Sequence, residues 1–148
     1  MGRILGLDYG RRRIGVAVSD PLGLTAQPLE TWDGLNWEDV GEKICILVEQ
    51  MGVERVVVGF PLTLAGERGR MAQEVEQFSA TLKRRIPIPV TLWDERLTSV
   101  HAQRIIHAME EKPSRRKEKV DLIASVLLLQ NYLNYKKGPT ANHQEDRD

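Results

Sequence analysis

The first twenty residues constrain the fold more than any other part of the chain. Residues 3 to 8 and 14 to 19 are two short apolar runs, and the polar segment YGRRR connects them. Two such runs joined by a short connection that contains a glycine predict a β-hairpin. Asp8 ends the first run. The sequence therefore predicts a carboxylate at the end of a buried strand, with three arginines beginning three residues later.

Downstream of this hairpin, the hydrophobic periodicity predicts three more strands and four helices. Pro28 favours an edge position for the third strand, because proline cannot donate to a strand ladder. The continuous run from Val56 to Val58 favours a strand that is buried on both faces. An antiparallel opening followed by alternating helices and strands predicts an α/β fold, a mixed sheet covered by helices. The predicted strands are residues 24 to 31, 53 to 60 and 88 to 93, and the predicted helices are residues 37 to 51, capped by Asn36 and closed by Gly52, 70 to 85, 98 to 109 and 117 to 135.

Length and composition are typical of one globular domain. The chain has 148 residues, of which 41% are hydrophobic and 28% charged. Residues 1 to 137 are predicted to form the domain, and the polar tail from 138 to 148 is predicted to be disordered. No signal peptide precedes the first strand, and no apolar run approaches the roughly 20 residues of a membrane span. We therefore expect a cytoplasmic protein with no membrane partner.

Charge is balanced over the whole chain but clustered locally. The formal net charge is zero, which argues against a uniformly basic surface but not against basic patches. Arg11, Arg12 and Arg13 form one such cluster. A single cluster of this kind usually lies on a solvated surface. It indicates a binding site only where the fold gathers several clusters on one face.

Three carboxylates are predicted to meet at one edge of the sheet. Asp8 ends the first strand, Glu95 follows the fifth, and Asp121 lies near the start of the last helix. In open α/β sheets, ligand sites gather at the carboxyl ends of the strands. The small residues Ala124 and Ser125 would let the last helix lie close to the sheet. The short side chain of Asp121 could then reach the neighbourhood of Asp8.

Carboxylates gathered in this way repel one another unless a cation neutralises them. Hard oxygen ligands favour Mg²⁺ or Mn²⁺. Two such ions about 3.5–4 Å apart would activate a water and stabilise the leaving oxygen of a phosphodiester. Each acid alone also has an ordinary structural interpretation: a turn residue for Asp8, an ion pair with Arg96 for Glu95, and a helix-dipole contact for Asp121.

Two further acids are candidate ligands. Asp20 follows the second strand and would lie roughly 20 Å from Asp8 at about 3.3 Å per residue, so the Asp-Pro turn interpretation is preferred. Asp94 and Glu95 are adjacent on an extended segment and face opposite ways. Glu95 is the preferred ligand, although the sequence leaves open which of the two faces a metal.

Four segments, in the same order, resemble the YqgF family, which is related to the RuvC Holliday-junction resolvases. They are GLDYGRRRIGVAVSD, VVVGFPLTLAG, WDERLTS and KVDLIASVLLLQNYL. The resemblance covers nearly the whole chain up to about residue 137. It implies an RNase H-like fold with strand order 3-2-1-4-5, in which strand 2 is antiparallel and helices lie on both faces.

The resemblance also implies a site and an activity. By this resemblance, the family's acids correspond to Asp8, Glu95 and Asp121, as catalytic residues and ligands of two Mg²⁺ or Mn²⁺ ions. RuvC-like enzymes carry a glutamate directly after the fourth strand, where this chain has Gly59-Phe60-Pro61, so Glu95 would have to substitute for it. Candidate contacts to nucleic acid are the basic residues around this site: Arg11, Arg12, Arg13, Arg68, Arg70, Arg96 and Lys119.

Several functions agree with these residues. The first is a metal-dependent nuclease that matures the 5′ end of 16S rRNA, and the second is a Holliday-junction resolvase, which should be a homodimer. The third is a nucleic-acid-binding factor without catalysis. An ATP-dependent phosphotransferase is disfavoured, since such folds need two domains and the chain lacks a Gly-x-x-x-x-Gly-Lys loop. The sequence does not decide between a monomer and a homodimer.

Overall fold

A mixed five-stranded sheet organises the chain, with the order β3-β2-β1-β4-β5. The computed structural model describes residues 2–61, 66, 68–95 and 117–137. Strand β1 pairs antiparallel with β2 and parallel with β4, while β2–β3 is antiparallel and β4–β5 parallel. The predicted strand order and the antiparallel β2 are confirmed. The strands are β1 Arg3–Asp8, β2 Arg13–Ser19, β3 Ala26–Asp33, β4 Val53–Phe60 and β5 Val90–Asp94.

Three helices are described: α1 Trp37–Met51, α2 Arg70–Arg85 and α3 Lys117–Lys137. Helix α1 begins where it was predicted to begin, because the Asn36 side chain accepts a hydrogen bond from the Asp39 amide at 3.1 Å. It ends at Gly52, which adopts a left-handed conformation with φ 70° and donates its N–H to the Val48 carbonyl.

The alternation of side chains along the strands builds a separate core on each face of the sheet. On one face, Leu5 and Leu7 of β1 pack in a cluster that also contains residues of α1 and α2. On the other face, Ile4 of β1 and Val57 of β4 pack in a cluster with residues of α3. Helices therefore cover both faces, as predicted, and every second residue of β1 faces α3.

Helix α3 lies unusually close to the central strands. A Cβ atom at Gly6 of β1 would lie only 2.8 Å from the Cβ atom of Leu129. A glycine within a strand allows this kind of close approach. The approach brings the first turns of α3 down onto the edge of the sheet where β1 ends.

The predicted boundaries of two strands were wrong by two residues. Strand β3 begins at Ala26 instead of 24, because the Asp20 carboxylate accepts hydrogen bonds from the amides of Leu22, Leu24 and Thr25 and keeps this segment in a turn. Strand β5 begins at Val90 instead of 88.

Two predicted segments, the helix from 98 to 109 and the tail from 138 to 148, lie outside the described residues. Within the part of the chain that the structure describes, no helix is long and apolar enough to cross a membrane.

Candidate functional site

Asp8 lies between two glycines at the carboxyl end of β1. It pairs directly with Gly15 of β2. On its other side, the register that pairs Leu7 with Val58 places Asp8 beside Gly59 of β4. Asp8, Gly15 and Gly59 all belong to the face that α3 covers, because they continue the alternation of Gly6, Ala17 and Val57. Each glycine leaves space above the sheet beside Asp8.

Glu95 occupies the space above Gly59. A Cβ atom at Gly59 would lie 3.1 Å from Cδ and 3.2 Å from one carboxylate oxygen of Glu95. Glu95 comes directly after β5, whose Trp93 pairs with Gly59. Its carboxylate therefore reaches back across the end of β4 toward Asp8. The Glu95 side chain thus lies above Gly59, in the segment Gly59-Phe60-Pro61 that itself carries no acid.

Asp121 occupies the space above Gly15. A Cβ atom at Gly15 would overlap the backbone carbonyl of Asp121, so the first part of α3 lies directly on β2. The half-buried carboxylate of Asp121 accepts a hydrogen bond and ion pair from Arg13, with 3.0 Å between Nε and Oδ2. The structure thus brings all three predicted acids to the end of β1, and it joins one of them to an arginine.

The oxygen donors of this cluster are suited to binding a hard divalent cation. Three carboxylates offer oxygen ligands of the kind that Mg²⁺ and Mn²⁺ prefer. Yet no three acidic, histidine or cysteine side chains among residues 2–61, 66, 68–95 and 117–137 are gathered closely enough to hold one metal ion. The pairing of Asp121 with Arg13 is one physical reason, because it directs Oδ2 toward a guanidinium.

The two alternative ligand candidates, Asp94 and Asp20, lie elsewhere. Asp94 is level with Phe60 in the ladder and continues the alternation of Leu92, which packs on the α1 and α2 face. Asp20 lies beyond the end of β2, at the opposite edge of the sheet from Asp8. Its hydrogen bonds from backbone amides, that of Thr25 first, hold its pKa below the ordinary value. The turn interpretation of Asp20 is confirmed.

The predicted nucleic-acid contacts divide into two groups. Arg11 pairs with Glu74 at 3.0 Å, Arg13 pairs with Asp121, and Arg68 makes two bonds of 2.9 and 2.8 Å to Glu76. The second group is exposed, and the described residues place no ion-pair partner beside its members: Arg12, Arg70 and Lys119. Arg96 lies outside the described residues. Contact with nucleic acid stays a prediction for all of them.

A second polar cluster near Asp8 was missed from the sequence. The Tyr9 hydroxyl donates to Glu74 of α2 at 2.6 Å, and Arg11 binds the other oxygen of the same carboxylate. The Tyr9 ring packs against Trp37 and Phe78. Burial, together with the hydrogen bond to Glu74 and its charge, raises the pKa of Tyr9 to about 12. The Tyr9 hydrogen bond in turn lowers the pKa of Glu74. The cluster ties the turn after Asp8 to α2.

The glycines were also missed as parts of the site. Gly15 and Gly59 lie inside strands, and a strand glycine is itself a signal of close backbone or side-chain approach. That signal was available in the sequence. Glu74 gave no such signal, because its partners are 63 and 65 residues away on another element.

Comparison with known proteins gives one family and one fold. A family model described as RuvX, Holliday junction resolvase, matches residues 2–135. A protein of Chloroflexus aurantiacus named "Putative pre-16S rRNA nuclease" is 43% identical over 142 residues, covering 95% of this chain and 93% of its own. A protein of Acetivibrio thermocellus with the same name is 47% identical over 139 residues, covering 90% and 96%.

Solved structures share the fold at low sequence identity. T. thermophilus RuvC in complex with a Holliday junction substrate superimposes with a TM-score of 0.59 at 13% identity, over 95% of this chain and 98% of that one. The Fowlpox virus resolvase in complex with Holliday junction DNA gives 0.52 at 13% identity, over 92% and 99%. The RuvC-like, RNase H-like architecture expected from the sequence is confirmed.

Proposed function

The chain belongs to the RuvX family, which is the YqgF family of the sequence resemblance, and from this premise we propose that it is a metal-dependent nuclease that matures the 5′ end of pre-16S rRNA. The observation that carries the proposal is the arrangement around Asp8. Two glycines flank it, and each is covered by another acidic residue, Glu95 or Asp121. The names of the curated relatives supply the substrate. A cytoplasmic location is part of this proposal.

Asp8, Glu95 and Asp121 would hold the metal, two ions of Mg²⁺ or Mn²⁺. Such ions, when bound, supply an activated water and stabilise the leaving oxygen of a phosphodiester. The protein's own contribution is placement. Gly59 leaves room for the Glu95 carboxylate and Gly15 leaves room for the Asp121 backbone, while the ends of β1 and β5 and the start of α3 carry the three acids.

The exposed basic residues would hold the RNA. Arg12 lies in the turn after Asp8, Arg70 begins α2, and Lys119 lies in the first turn of α3. All three elements start or end at the same edge of the sheet as Asp8. Contacts to phosphate from these residues would orient the backbone over the acids without reading its sequence.

The test offers two substrates side by side. A pre-16S rRNA fragment and a four-way DNA junction are incubated with Mn²⁺ and wild-type protein, Asp8→Asn, Glu95→Gln or Asp94→Asn. Wild type should cut the RNA at its 5′ side. Asp8→Asn and Glu95→Gln should lose at least about a hundredfold in rate, since metal stabilisation of the transition state contributes several kcal/mol, while RNA binding remains.

Asp94→Asn is the matched control, because it alters the neighbouring acid on the opposite face of β5. It should cut at close to the wild-type rate. Loss of activity in Asp94→Asn but not in Glu95→Gln would reverse the assignment of that ligand.

The Holliday-junction resolvase is the second candidate, favoured by the description of the family model. Resolution requires two symmetric sites and hence a dimer, whereas RNA trimming needs only a monomer. Cleavage of the junction alone would overturn the rRNA proposal. Binding of RNA with no cleavage of either substrate would favour the non-catalytic factor instead.

A further inference from the structure

Arg13 binds a carboxylate of the candidate site. Its Nε lies 3.0 Å from Oδ2 of Asp121, and both side chains are mostly shielded, with 28% and 30% of their surface exposed. The ion pairs of Arg11 and Arg68 differ, because their partners Glu74 and Glu76 lie on α2. Arg13 thus provides a positive charge inside the protein at the place where a divalent cation is proposed to bind.

The position of Arg13 is fixed by the same strand that carries Gly15. Arg13 begins β2 and alternates with Gly15 and Ala17, so its side chain leaves the sheet on the α3 face. Asp8 pairs with Gly15 on that face. The guanidinium therefore lies at the same end of the sheet as Asp8, and it draws Asp121 toward β2.

We infer that Arg13 is the internal counter-ion of this site: it neutralises Asp121 in the metal-free protein, and a divalent cation must displace it from Oδ2 to bind. The inference rests on the proposed metal-dependent function. It assigns Arg13 a positioning role that sets metal affinity, in place of a contact to nucleic acid.

Two effects follow from the displacement. To bind, the metal must break the ion pair between Arg13 and Asp121, and it must also lie near the positively charged guanidinium. Both effects lower the affinity for the metal. Without metal, the pair relieves repulsion between carboxylates. Removing the Arg13 charge should therefore tighten metal binding and destabilise the metal-free protein.

The experiment titrates Mn²⁺ into protein without nucleic acid, and follows free Mn²⁺ by electron paramagnetic resonance. Arg13→Gln should lower the Kd for Mn²⁺ by about three- to tenfold, as expected for loss of a partly exposed ion pair and of like-charge repulsion. The melting temperature of Arg13→Gln should fall without metal and rise more than that of wild type on addition of Mn²⁺.

The matched control is Arg12→Gln, which removes the same charge from the next residue without touching Asp121. Its Kd should stay within about twofold of wild type. In an Asp121→Asn background, Arg13→Gln should tighten binding less than it does in wild type, because no ion pair is left to break. If Arg13→Gln does not fold, Arg13→Met decides, because it removes the charge but keeps a long unbranched side chain, and it should also lower the Kd.

Equal or weaker Mn²⁺ binding by the Arg13 variants overturns the inference. So does an equal gain in Arg12→Gln, or a gain that is undiminished with Asp121→Asn. No Mn²⁺ binding by any of the proteins overturns both the inference and the metal dependence. Displacement that follows the expected pattern in a protein that cuts no RNA would support the inference and reject the proposed function alone.

Discussion

At the scale of single residues, Gly15 decides whether α3 can lie on the sheet. Any Cβ atom there would overlap the backbone carbonyl of Asp121. The backbones of β2 and α3 could make room for it only if the helix moved. Gly15→Ala should therefore destabilise the protein by at least about 2 kcal/mol, in the range of overpacked cores. The urea midpoint measures this. Gly69→Ala is the control, because no atom lies within 4 Å of its Cβ position. Equal midpoints for the two variants would contradict the prediction.

Tyr9 should make stability depend on alkaline pH. Its pKa is raised to about 12 from the ordinary 10.0. Between these two values the unfolded chain releases the phenol proton while the folded chain retains it, so stability falls as pH rises through this window. The urea midpoint of wild type should fall more from pH 9 to pH 11 than that of Tyr9→Phe, in which other groups titrate unchanged.

The exposed Tyr135 provides the control for this pH dependence. Tyr135→Phe should retain the wild-type decline, and absorbance at 295 nm should show one phenol fewer titrating late in Tyr9→Phe. Identical declines in wild type and Tyr9→Phe would show that the hydrogen bond to Glu74 does not hold the phenol proton.

At the scale of secondary-structure elements, the cap of α1 should make a measurable contribution. Asn36 has an extended backbone, with φ −120° and ψ 93°, and its side chain satisfies the Asp39 amide. Asn36→Ala should cost about 1 kcal/mol of stability, since it leaves a helix amide without that acceptor. Leu35→Ala is a suitable control, because Leu35 is 78% exposed. A cost shared by both variants would point to the loop instead of the cap.

The elements that local signals define were predicted well. Asn36 and Gly52 bound α1, and the run from Val56 to Val58 predicted that β4 is buried on both faces, which the structure confirms. The start of β3 was missed, because the side chain of Asp20 binds amides as far as Thr25 and competes with strand pairing. Hydrophobic periodicity carries no information about such a contact.

The residues of the site also differ in how far local sequence signals predicted them. Asp8 and Glu95 were placed by strand ends, which a sequence marks clearly. The pairing of Asp121 with Arg13 and that of Tyr9 with Glu74 join residues 108 and 65 positions apart. Such pairs depend on how helices lie over the sheet, and periodicity within one element does not encode that placement.

At the scale of the whole molecule, nucleic-acid binding must come from a local distribution of charge, because the net charge is zero. Arg12 lies at the edge where β1 ends, and Lys83 lies in the last turn of α2, which runs back toward the other edge. If RNA crosses the first edge, Arg12→Gln should reduce the slope of log K against log salt by about 0.7 to 0.9, the value for one lost phosphate contact. Lys83→Gln, which removes the same charge at the opposite edge, should leave the slope unchanged. Fluorescence anisotropy of labelled RNA at several salt concentrations measures both, and equal slopes for the two variants would mean that RNA does not bind over Asp8.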